Sequence, residues 1–374
     1  MKILFFLNSK KFFISHFQHV AIDLIKNGQI VYLLAPNDCD EEVAKGVVHV
    51  DLELSRSSIN LFFEFKLVLN IYKKIKQISP DLLHCFTIKP VLYSNLMHFF
   101  LPKKISIVST ITGMGSLYLS KNIIYVAIRF LINFIYKFIF KLSGSLLVFE
   151  NVDDKNYFLE KNYVAERSTK VINGAGVDIK LFKFVERDFY SERIIITFIG
   201  RLLIDKGIVE FLKSAKKSYD SSLPLTFQVV GDYDFDNPSA ISKAQVEEYK
   251  KLPNINFLGF RNDVQNIYSN SHIACLPSYR EGLPKSLIEA AASGLPIITT
   301  DVVGCRQMVP SEKYGVLVKP KSVNSLFESY SKVLENRSLL FDISKNNRKR
   351  AEQEFSQSFI SEEYRLIYKD YLNI

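Results

Sequence analysis

The sequence predicts an α/β fold with parallel sheets, arranged as two domains in a chain of 374 residues. Apolar runs of roughly four to eight residues alternate with longer amphipathic segments, which is the pattern of buried strands linked by helices. The length is sufficient for two domains of ordinary size. Hydrophobic residues make up 48% of the chain and charged residues 23%, a balance typical of globular proteins rather than disordered ones.

The first half of the chain begins with a βαβ pattern. A strand over 3–7 is followed by a loop at 8–14, a helix over 15–27 that Gly28 ends, and a strand over 30–35. No Gly-x-Gly-x-x-Gly motif follows the first strand, which counts against a dinucleotide-dependent enzyme. The remaining elements predicted in this half are a helix over 61–78, a turn at 86–90, and strands over 81–85, 105–111 and 146–150.

The second half continues the same alternation. We place the boundary so that residues 1–179 form one domain and 180–355 the other, followed by a C-terminal helix within 356–374. The elements predicted here are strands over 194–199, 225–230, 255–260, 272–276, 297–300 and 316–318, and helices over 263–269, from Pro284 onward, and over 322–336, 339–355 and 359–374.

Residues 276–300 contain two glutamates at the start of a predicted helix. Pro284 fits the first helical turn, where its missing N–H costs nothing, and Gly294 ends the helix. Glu281 then lies in the preceding loop and Glu289 inside the helix, where their carboxylates can accept hydrogen bonds from hydroxyl groups. Unpaired N–H groups at the helix start could bind a phosphate. On spacing alone, two acids that complement the helix dipole or face solvent are an equally good explanation.

A second candidate site follows the strand at 194–199. Gly200, Arg201 and Lys206 come at the strand end, before a helix. A guanidinium binds two phosphate oxygens as a fork and an ammonium acts as a point charge, so Arg201 and Lys206 together could hold a diphosphate. The alternative is two solvated surface cations.

These two segments together resemble the donor-binding signature of retaining glycosyltransferases of the GT-B fold, family 4. Pro277-Ser278, Glu281-Gly282 and Glu289-Ala290 stand where that signature has them, as does Arg201 with Lys206. The resemblance covers essentially the whole chain and is most specific in 197–310. It implies two Rossmann-like domains whose sheets face a cleft, with acceptor bound by the first domain, donor by the second, and a C-terminal helix crossing back to the first.

The resemblance also assigns roles to residues. Arg201, Lys206 and Glu281 would form the catalytic set: the cations hold the diphosphate, and Glu281 binds hydroxyls of the transferred sugar. No metal is implied, because such enzymes neutralise the diphosphate with cations and helix ends. The remaining donor contacts implied are Glu289 to the ribose hydroxyls, the backbone amides of Gly282 and Leu283, the nucleobase segment at Gly259 and Phe260, and Gly200.

A third group of polar residues lies at strand ends in the first half. His84, Thr87 and Lys89 lie at the C-terminal end of the strand at 81–85, at an edge where open α/β sheets bind ligands. A buried structural histidine is the alternative for His84. Related sugar-transferring enzymes have a similar His-x-x-Thr-x-Lys-Pro stretch. This resemblance implies that Thr87 and Lys89 act near the acceptor or the donor phosphate. Thr112 stands where several family members have a histidine that faces the transferred sugar.

Residues 122–149 form the most apolar stretch of the chain. Arg129, Lys137 and Lys141 interrupt it, so no uncharged run reaches the length needed to span a bilayer. With Asn133 they recur every fourth residue and would occupy one side of a helix. Two interpretations remain open: a helix lying in a membrane interface with its cations at anionic head groups, or a core helix with one polar edge.

The charge balance predicts an anionic partner and the cysteines predict a reducing compartment. The 48 Lys and Arg exceed the 39 Asp and Glu by nine, which suits a nucleotide, an acidic lipid surface or nucleic acid. The four cysteines are scattered and form no Cys-x-x-Cys pair. The first residues are too short an apolar stretch for a signal peptide. We therefore expect a cytoplasmic protein, and no recognised motif supports nucleic-acid binding.

The form of the 277–289 segment is most similar to bacterial enzymes that build O-antigen, capsule or glycan precursors on polyprenyl diphosphate lipids. The resemblance implies transfer of an N-acetylhexosamine or hexose from a UDP-sugar to such a lipid-linked acceptor, by an enzyme peripheral to the inner face of the plasma membrane. The alternatives are a transferase with a soluble acceptor, a nucleotide-sugar epimerase, and a non-catalytic membrane-bound scaffold. Intact Arg201, Lys206, Glu281 and Glu289 argue against the scaffold.

Overall fold

The computed structural model describes residues 1–54, 61–101, 105–115, 118, 122–235 and 237–372. The chain divides into two compact units. Residues 1–175 together with 357–374 form one, called the N-terminal unit here, and residues 176–356 form the C-terminal unit. Each unit has a parallel sheet with helices between most successive strands, which confirms the predicted α/β class.

The N-terminal unit contains a seven-stranded parallel sheet. Its strands are β1 Lys2–Phe6, β2 Ile30–Ala35, β3 Val47–Asp51, β4 Leu82–Phe86, β5 Ser106–Ile111, β6 Leu146–Phe149 and β7 Thr169–Val171, in the order β3-β2-β1-β4-β5-β6-β7. Its helices are α1 Lys10–His16, α2 Gln18–Lys26, α3 Leu61–Ile78, α4 Ile88–Met97, α5 Ile123–Ser143 and α6 Val152–Glu160.

The C-terminal unit contains a six-stranded parallel sheet. Its strands are β8 Ile194–Ile199, β9 Leu225–Val230, β10 Ile255–Gly259, β11 Ile273–Leu276, β12 Ile297–Thr300 and β13 Gly315–Val318, in the order β10-β9-β8-β11-β12-β13. Its helices are α7 Ile208–Asp220, α8 Lys243–Tyr249, α9 Val264–Ser269, α10 Lys285–Ala292, α11 Cys305–Met308, α12 Val323–Glu335 and α13 Leu339–Arg350, the last followed by a π-turn over Ala351–Phe355. Strand order reverses between β8 and β11, which is where sheets of this kind bind ligands.

Three predictions, two near the N-terminus and one after β4, were wrong. The loop expected at 8–14 is mostly helix α1, which begins because the Ser9 side chain accepts a hydrogen bond of 3.0 Å from the Phe12 N–H. The single helix expected over 15–27 is divided at Phe17, whose φ of −128° is not helical. The turn expected at 86–90 starts helix α4. Sequence analysis also missed β3, β7, α6, α8 and α11.

The last helix of the chain, α14 Gln357–Leu372, is part of the N-terminal unit. It packs along α2, and its buried side chains Ile360, Tyr364 and Tyr368 join the core beneath β1 and β2. The Ser361 hydroxyl lies 2.8 Å from Nδ1 of His19. A helix over 359–374 was predicted, and the structure confirms it up to Leu372, with its start two residues earlier; residues 373–374 lie outside the described residues.

Candidate active site

Two loops meet at the point where strand order reverses in the C-terminal unit. One follows β8 and contains Arg201 and Lys206; the other follows β11 and contains Glu281. The Tyr279 N–H donates to the Asp205 carbonyl at 2.8 Å, and the Ser278 hydroxyl oxygen lies 3.0 Å from the same carbonyl oxygen. Parallel neighbouring strands end at the same edge, so segments about 75 residues apart in sequence form one site.

Lys206 and Glu281 form an ion pair at the centre of this site. The Lys206 ammonium donates to both carboxylate oxygens of Glu281, at 2.6 and 2.7 Å, and the Ser278 hydroxyl donates to Oε1 at 2.7 Å. The Glu281 side chain is 10% exposed, so its charge requires these partners. The sequence predicted the two residues as separate ligands of diphosphate and sugar, whereas the structure brings them into direct contact.

The loop that contains Glu281 also packs against Val303 and Gly304, which follow β12. The Glu281 N–H donates to the Val303 carbonyl at 3.1 Å, and Gly304 lies directly against the loop. A Cβ atom added at Gly304 would stand 2.3 Å from the Gly282 carbonyl oxygen and 2.6 Å from that of Glu281. The loop therefore depends on glycine at a position that the motif comparison did not single out.

Arg201 is paired with Asp234, a residue that sequence analysis missed. Their side chains meet at 2.5 Å, and the Arg201 side chain remains 57% exposed. The Asp234 loop is joined to the Arg201 loop because Leu202 N–H donates to the Asp232 carbonyl at 3.0 Å. Asp234 thus orients one edge of the guanidinium and leaves it accessible to a phosphate.

Asp232 and Asp234 stand two residues apart, a spacing that could also bind a divalent cation. In the part of the chain that the structure describes, no group of three or more His, Cys, Asp or Glu side chains could hold a metal ion. In this structure the Asp234 carboxylate is paired with Arg201.

Glu289 lies in α10 with its side chain 12% exposed. Burial raises the pKa of its carboxyl, and the Lys285 ammonium, 3.4 Å away, lowers that pKa in part. A carboxylate kept in such a place costs stability unless a ligand pairs with it. A buried carboxylate with a raised pKa is what we expect of Glu289 if hydroxyl groups of a ligand donate hydrogen bonds to it.

We expect Glu289→Gln to stabilise the protein near neutral pH while weakening nucleotide binding. The raised pKa means that the folded state resists ionisation, so the wild type loses stability as the pH rises through the ordinary glutamate pKa of about 4.3 towards the raised one. The uncharged amide does not titrate. Urea unfolding at several pH values should give a stability gain for the variant at pH 7 that vanishes below about pH 4.

UDP titration calorimetry measures the functional half of the same prediction. A variant that is less stable at pH 7, or one that binds UDP as the wild type does, would contradict the assignment of Glu289 as a strained ligand group.

The other predicted donor residues also lie at the carboxyl edge of this sheet. Gly259 ends β10 with φ of +66°, and its carbonyl accepts from the Gly231 N–H at 2.9 Å. The Phe260 side chain is exposed and that of Leu283 is buried. The Gly200 N–H donates a hydrogen bond of 3.0 Å to the Val230 carbonyl. The structure therefore brings Lys206 and Glu281 into direct contact, with Arg201 in the same loop as Lys206 but paired with Asp234, and places the rest on neighbouring segments. Their binding roles stay predictions.

The acceptor residues predicted in the N-terminal unit need one correction. His84 is completely buried, with Nε2 2.7 Å from the Thr110 hydroxyl and Nδ1 2.5 Å from the Tyr368 hydroxyl. Burial also lowers its pKa well below the ordinary value. A side chain enclosed in this way cannot touch an acceptor at the surface. His84 instead links β4 to α14.

The three remaining acceptor residues follow β4 and β5. Thr87 precedes α4 with φ of +69°, and its buried hydroxyl has no hydrogen-bond partner among the described residues. Lys89 is paired with Glu64 at 2.6 Å, and Glu64 also accepts from the Tyr93 hydroxyl. Thr112 directly follows β5. The predicted roles of Thr87, Lys89 and Thr112 at an acceptor stay predictions.

Helix α5 packs through one narrow side. Tyr136, Ile139 and Phe140 are buried, whereas large apolar side chains along the opposite side are exposed, Phe130 to 75%. A core helix, one of the two interpretations, is excluded by this exposure. By length and composition alone, α5 is also the one helix in the described ranges that could cross a membrane.

The predicted basic stripe is divided between the two sides of α5. Lys137 and Lys141 are exposed. Arg129 is half-buried: its guanidinium donates to the Tyr118 carbonyl at 3.2 Å, and the Tyr118 hydroxyl donates to Asn133 at 2.6 Å. Arg129 therefore uses part of its guanidinium within the protein, and its assignment to a membrane contact stays a prediction.

Two Rossmann-like units, one with a cationic and acidic site at its topological switch point, define a glycosyltransferase of the GT-B fold. The chain matches the model of "Glycosyl transferases group 1" over residues 180–350 and that of "Glycosyl transferase 4-like" over 2–146. It belongs to this family of glycosyltransferases and is an enzyme of that class, as the sequence motifs indicated.

Named relatives and solved structures agree with this placement. The Campylobacter jejuni N,N'-diacetylbacillosaminyl-diphospho-undecaprenol alpha-1,3-N-acetylgalactosaminyltransferase is 28% identical over 372 residues, 95% of each chain. The Escherichia coli UDP-Gal:alpha-D-GlcNAc-diphosphoundecaprenol alpha-1,3-galactosyltransferase is 26% identical over 78% of this chain and 76% of its own. Anabaena HepE, solved with UDP and glucose, shares the fold with a TM-score of 0.78 at 18% identity, covering 99% and 100% of the two chains.

Proposed function

We propose that this glycosyltransferase moves an N-acetylhexosamine or hexose from a UDP-sugar to a polyprenyl-diphosphate-linked glycan, with retention of anomeric configuration, in the synthesis of a bacterial surface polysaccharide. The observation that supports this most directly is the similarity, over 95% of both chains, to a transferase whose name specifies an undecaprenyl-diphosphate acceptor. The Escherichia coli relative also has a diphosphoundecaprenol acceptor in its name.

The site geometry agrees with this chemistry. Transfer breaks the bond between the anomeric carbon and a diphosphate oxygen, and negative charge grows on the diphosphate. Arg201, oriented by Asp234, and Lys206 are the cations placed to neutralise that charge without a metal. Glu281, already bound to Lys206, would accept from sugar hydroxyls, and Glu289 from those of the ribose.

A panel of UDP- and GDP-sugars, incubated with the protein and a short polyprenyl-diphosphate sugar, tests the proposal by mass spectrometry. A mass gain of one sugar would identify the donor and establish a lipid-linked acceptor, and nuclear magnetic resonance of the product would give its anomeric configuration. Protection of the protein by UDP without any transfer would refute the acceptor. Absence of nucleotide binding would refute the donor site as well.

A lipid acceptor also requires that the enzyme reach a membrane. We propose that it is cytoplasmic and peripheral to the inner face of the plasma membrane, with α5 at the interface. The support is the exposed apolar side of α5 beside Lys137 and Lys141, because such helices bury apolar side chains among acyl chains and leave lysines at anionic head groups.

We expect the double variant Lys137→Glu, Lys141→Glu to lose binding to vesicles that contain phosphatidylglycerol. Each lysine near an anionic surface contributes about 1 kcal/mol, and reversing the sign roughly doubles the loss, so binding should fall at least 100-fold in flotation assays. Arg129→Glu is unsuitable as part of this test because Arg129 supports Tyr118.

Lys213→Glu together with Lys216→Glu, on α7 of the C-terminal unit, is the matched control for net charge. If that control released the protein from vesicles equally, general electrostatic attraction rather than α5 would be responsible.

A further inference from the structure

The most exposed pair of adjacent aromatic side chains in the described N-terminal unit lies outside α5. Phe99 and Phe100 belong to a short 3₁₀ turn, His98–Phe100, after α4, and are 52% and 74% exposed. Large apolar side chains that face water together need an explanation, because such patches usually mark an interaction surface.

The backbone of the turn His98–Phe100 is fixed by contacts with its neighbours, while the rings of Phe99 and Phe100 are exposed. Met97, just before it, is buried, and Leu101, just after it, packs against the core. The Tyr72 hydroxyl of α3 donates to the Phe100 carbonyl at 3.0 Å. The backbone is thus anchored on three sides while the Phe99 and Phe100 rings point away from the core.

This turn is part of a wider apolar surface. Helix α4 contacts both α3 and α5, and the Ser143 hydroxyl at the end of α5 donates to the Asn95 side chain of α4 at 2.6 Å. On α3, Phe65 and Leu69 are exposed on the same side as Tyr72, by helical spacing. We call the following ten exposed apolar residues, selected from those of these elements, the aromatic face: Phe65, Leu69, Leu96, Phe99, Phe100, Phe130, Leu131, Phe134, Phe138 and Leu142.

The charges of the three helices that bear this face are almost all positive. Four lysines lie in α3, one in α4 and two in α5, which makes seven besides Arg129, whose guanidinium donates to the Tyr118 carbonyl; the single acid is Glu64. Glu64 is itself paired with Lys89. An apolar face surrounded by cations and almost free of acids is complementary to an anionic lipid leaflet, which offers acyl chains below a negative surface.

We infer that Phe99 and Phe100 insert into the head-group and acyl boundary of an anionic bilayer leaflet, as a second anchor beside α5. This inference rests on the proposed function, since a lipid-linked acceptor is what brings the enzyme to a membrane. Two anchors on separate elements fix the tilt of the N-terminal unit at the membrane, which a single helix lying on the surface does not.

Fluorescence gives a direct test because the chain contains no tryptophan. Phe100→Trp creates a single probe, and the matched control is Tyr190→Trp, an exposed position of the C-terminal unit. With vesicles of phosphatidylcholine and phosphatidylglycerol, the emission of Trp at position 100 should shift to the blue and be quenched by lipids brominated on their acyl chains. The control should show neither. No shift and no quenching at position 100 would overturn the inference.

Binding measurements test the contribution of the rings. Phe99→Ser with Phe100→Ser should lower the vesicle partition coefficient by about tenfold or more, the amount expected from removing partly inserted side chains. The thermal unfolding midpoint and UDP binding should remain those of the wild type, which separates loss of insertion from misfolding. Unchanged partition would contradict insertion.

Two further outcomes separate this inference from its competitors. If the wild type sediments as a dimer at micromolar concentration without lipid and the double serine variant as a monomer, the surface binds a second copy and the inference is wrong. Transfer to a polyprenyl analogue short enough to be water-soluble should persist in the variant. Loss of that transfer in the wild type itself would instead refute the proposed function.

Discussion

Replacing Arg201 with Ala should lower kcat/KM by about 30-fold to 1000-fold, equivalent to about 2–4 kcal/mol of transition-state stabilisation. Arg201 is the exposed cation at the switch point, already oriented by Asp234 at 2.5 Å. Charge develops on the leaving diphosphate in the transition state, so a fixed guanidinium stabilises that state more than the bound donor. Initial rates at varied donor concentration, with the acceptor saturating, measure the effect.

Two controls make the Arg201 result interpretable. Lys216→Ala removes another exposed cation of the same unit, one paired with Asp220 at 2.8 Å, and should leave kcat/KM unchanged. Removing Arg201 also leaves Asp234 unpaired near the incoming diphosphate, which could by itself repel the donor. The double variant Arg201→Ala, Asp234→Ala removes that repulsion. If it recovered normal rates, the mechanism would need no cation at position 201.

The candidate site could be predicted from sequence because its signals are local. Arg201 and Lys206 lie in one loop, and Glu281 and Glu289 flank one helix start, so each pair is recognisable from short-range spacing. The contact between Lys206 and Glu281 depends instead on strand order: β8 and β11 are neighbours although β9 and β10 come between them in sequence. The rule that ligands bind where strand order reverses could have suggested it.

The failed predictions depended on distant partners or on a signal with two meanings. His84 was predicted to lie near an acceptor because it stands at the end of a predicted strand. In the structure its ring is enclosed and lies within hydrogen-bond distance of the hydroxyl of Tyr368, which is 284 residues away in the sequence. Residues 86–90 were predicted to form a turn, but their Pro90 is also compatible with the first turn of a helix, where it lies in α4. The composition of α5 is the same for a core helix and an interfacial one, and only its packing neighbours decide between them.

Replacing Gly207 with Ala should abolish most activity and lower the free energy of unfolding by roughly 2–5 kcal/mol. Gly207 has φ of +74°, and an added Cβ would lie 2.0 Å from the Pro277 carbonyl oxygen. The conflict is between backbones, so no side-chain rotation relieves it. One of the two loops must move, and the 2.6 Å contact between Lys206 and Glu281 joins those same loops. Urea unfolding and donor turnover measure the two effects.

Gly28→Ala separates the clash from the conformational cost of the methyl group. Gly28 has nearly the same φ, +79°, but a Cβ there would meet nothing within 4 Å. It should therefore lose only the roughly 1–2 kcal/mol that a positive φ costs an alanine, with turnover unchanged. If Gly207→Ala behaved like Gly28→Ala, the loops would have room to separate without loss of function. The close packing of Gly207 on Pro277 would then be incidental, and Lys206 and Glu281 would reach the donor independently of each other.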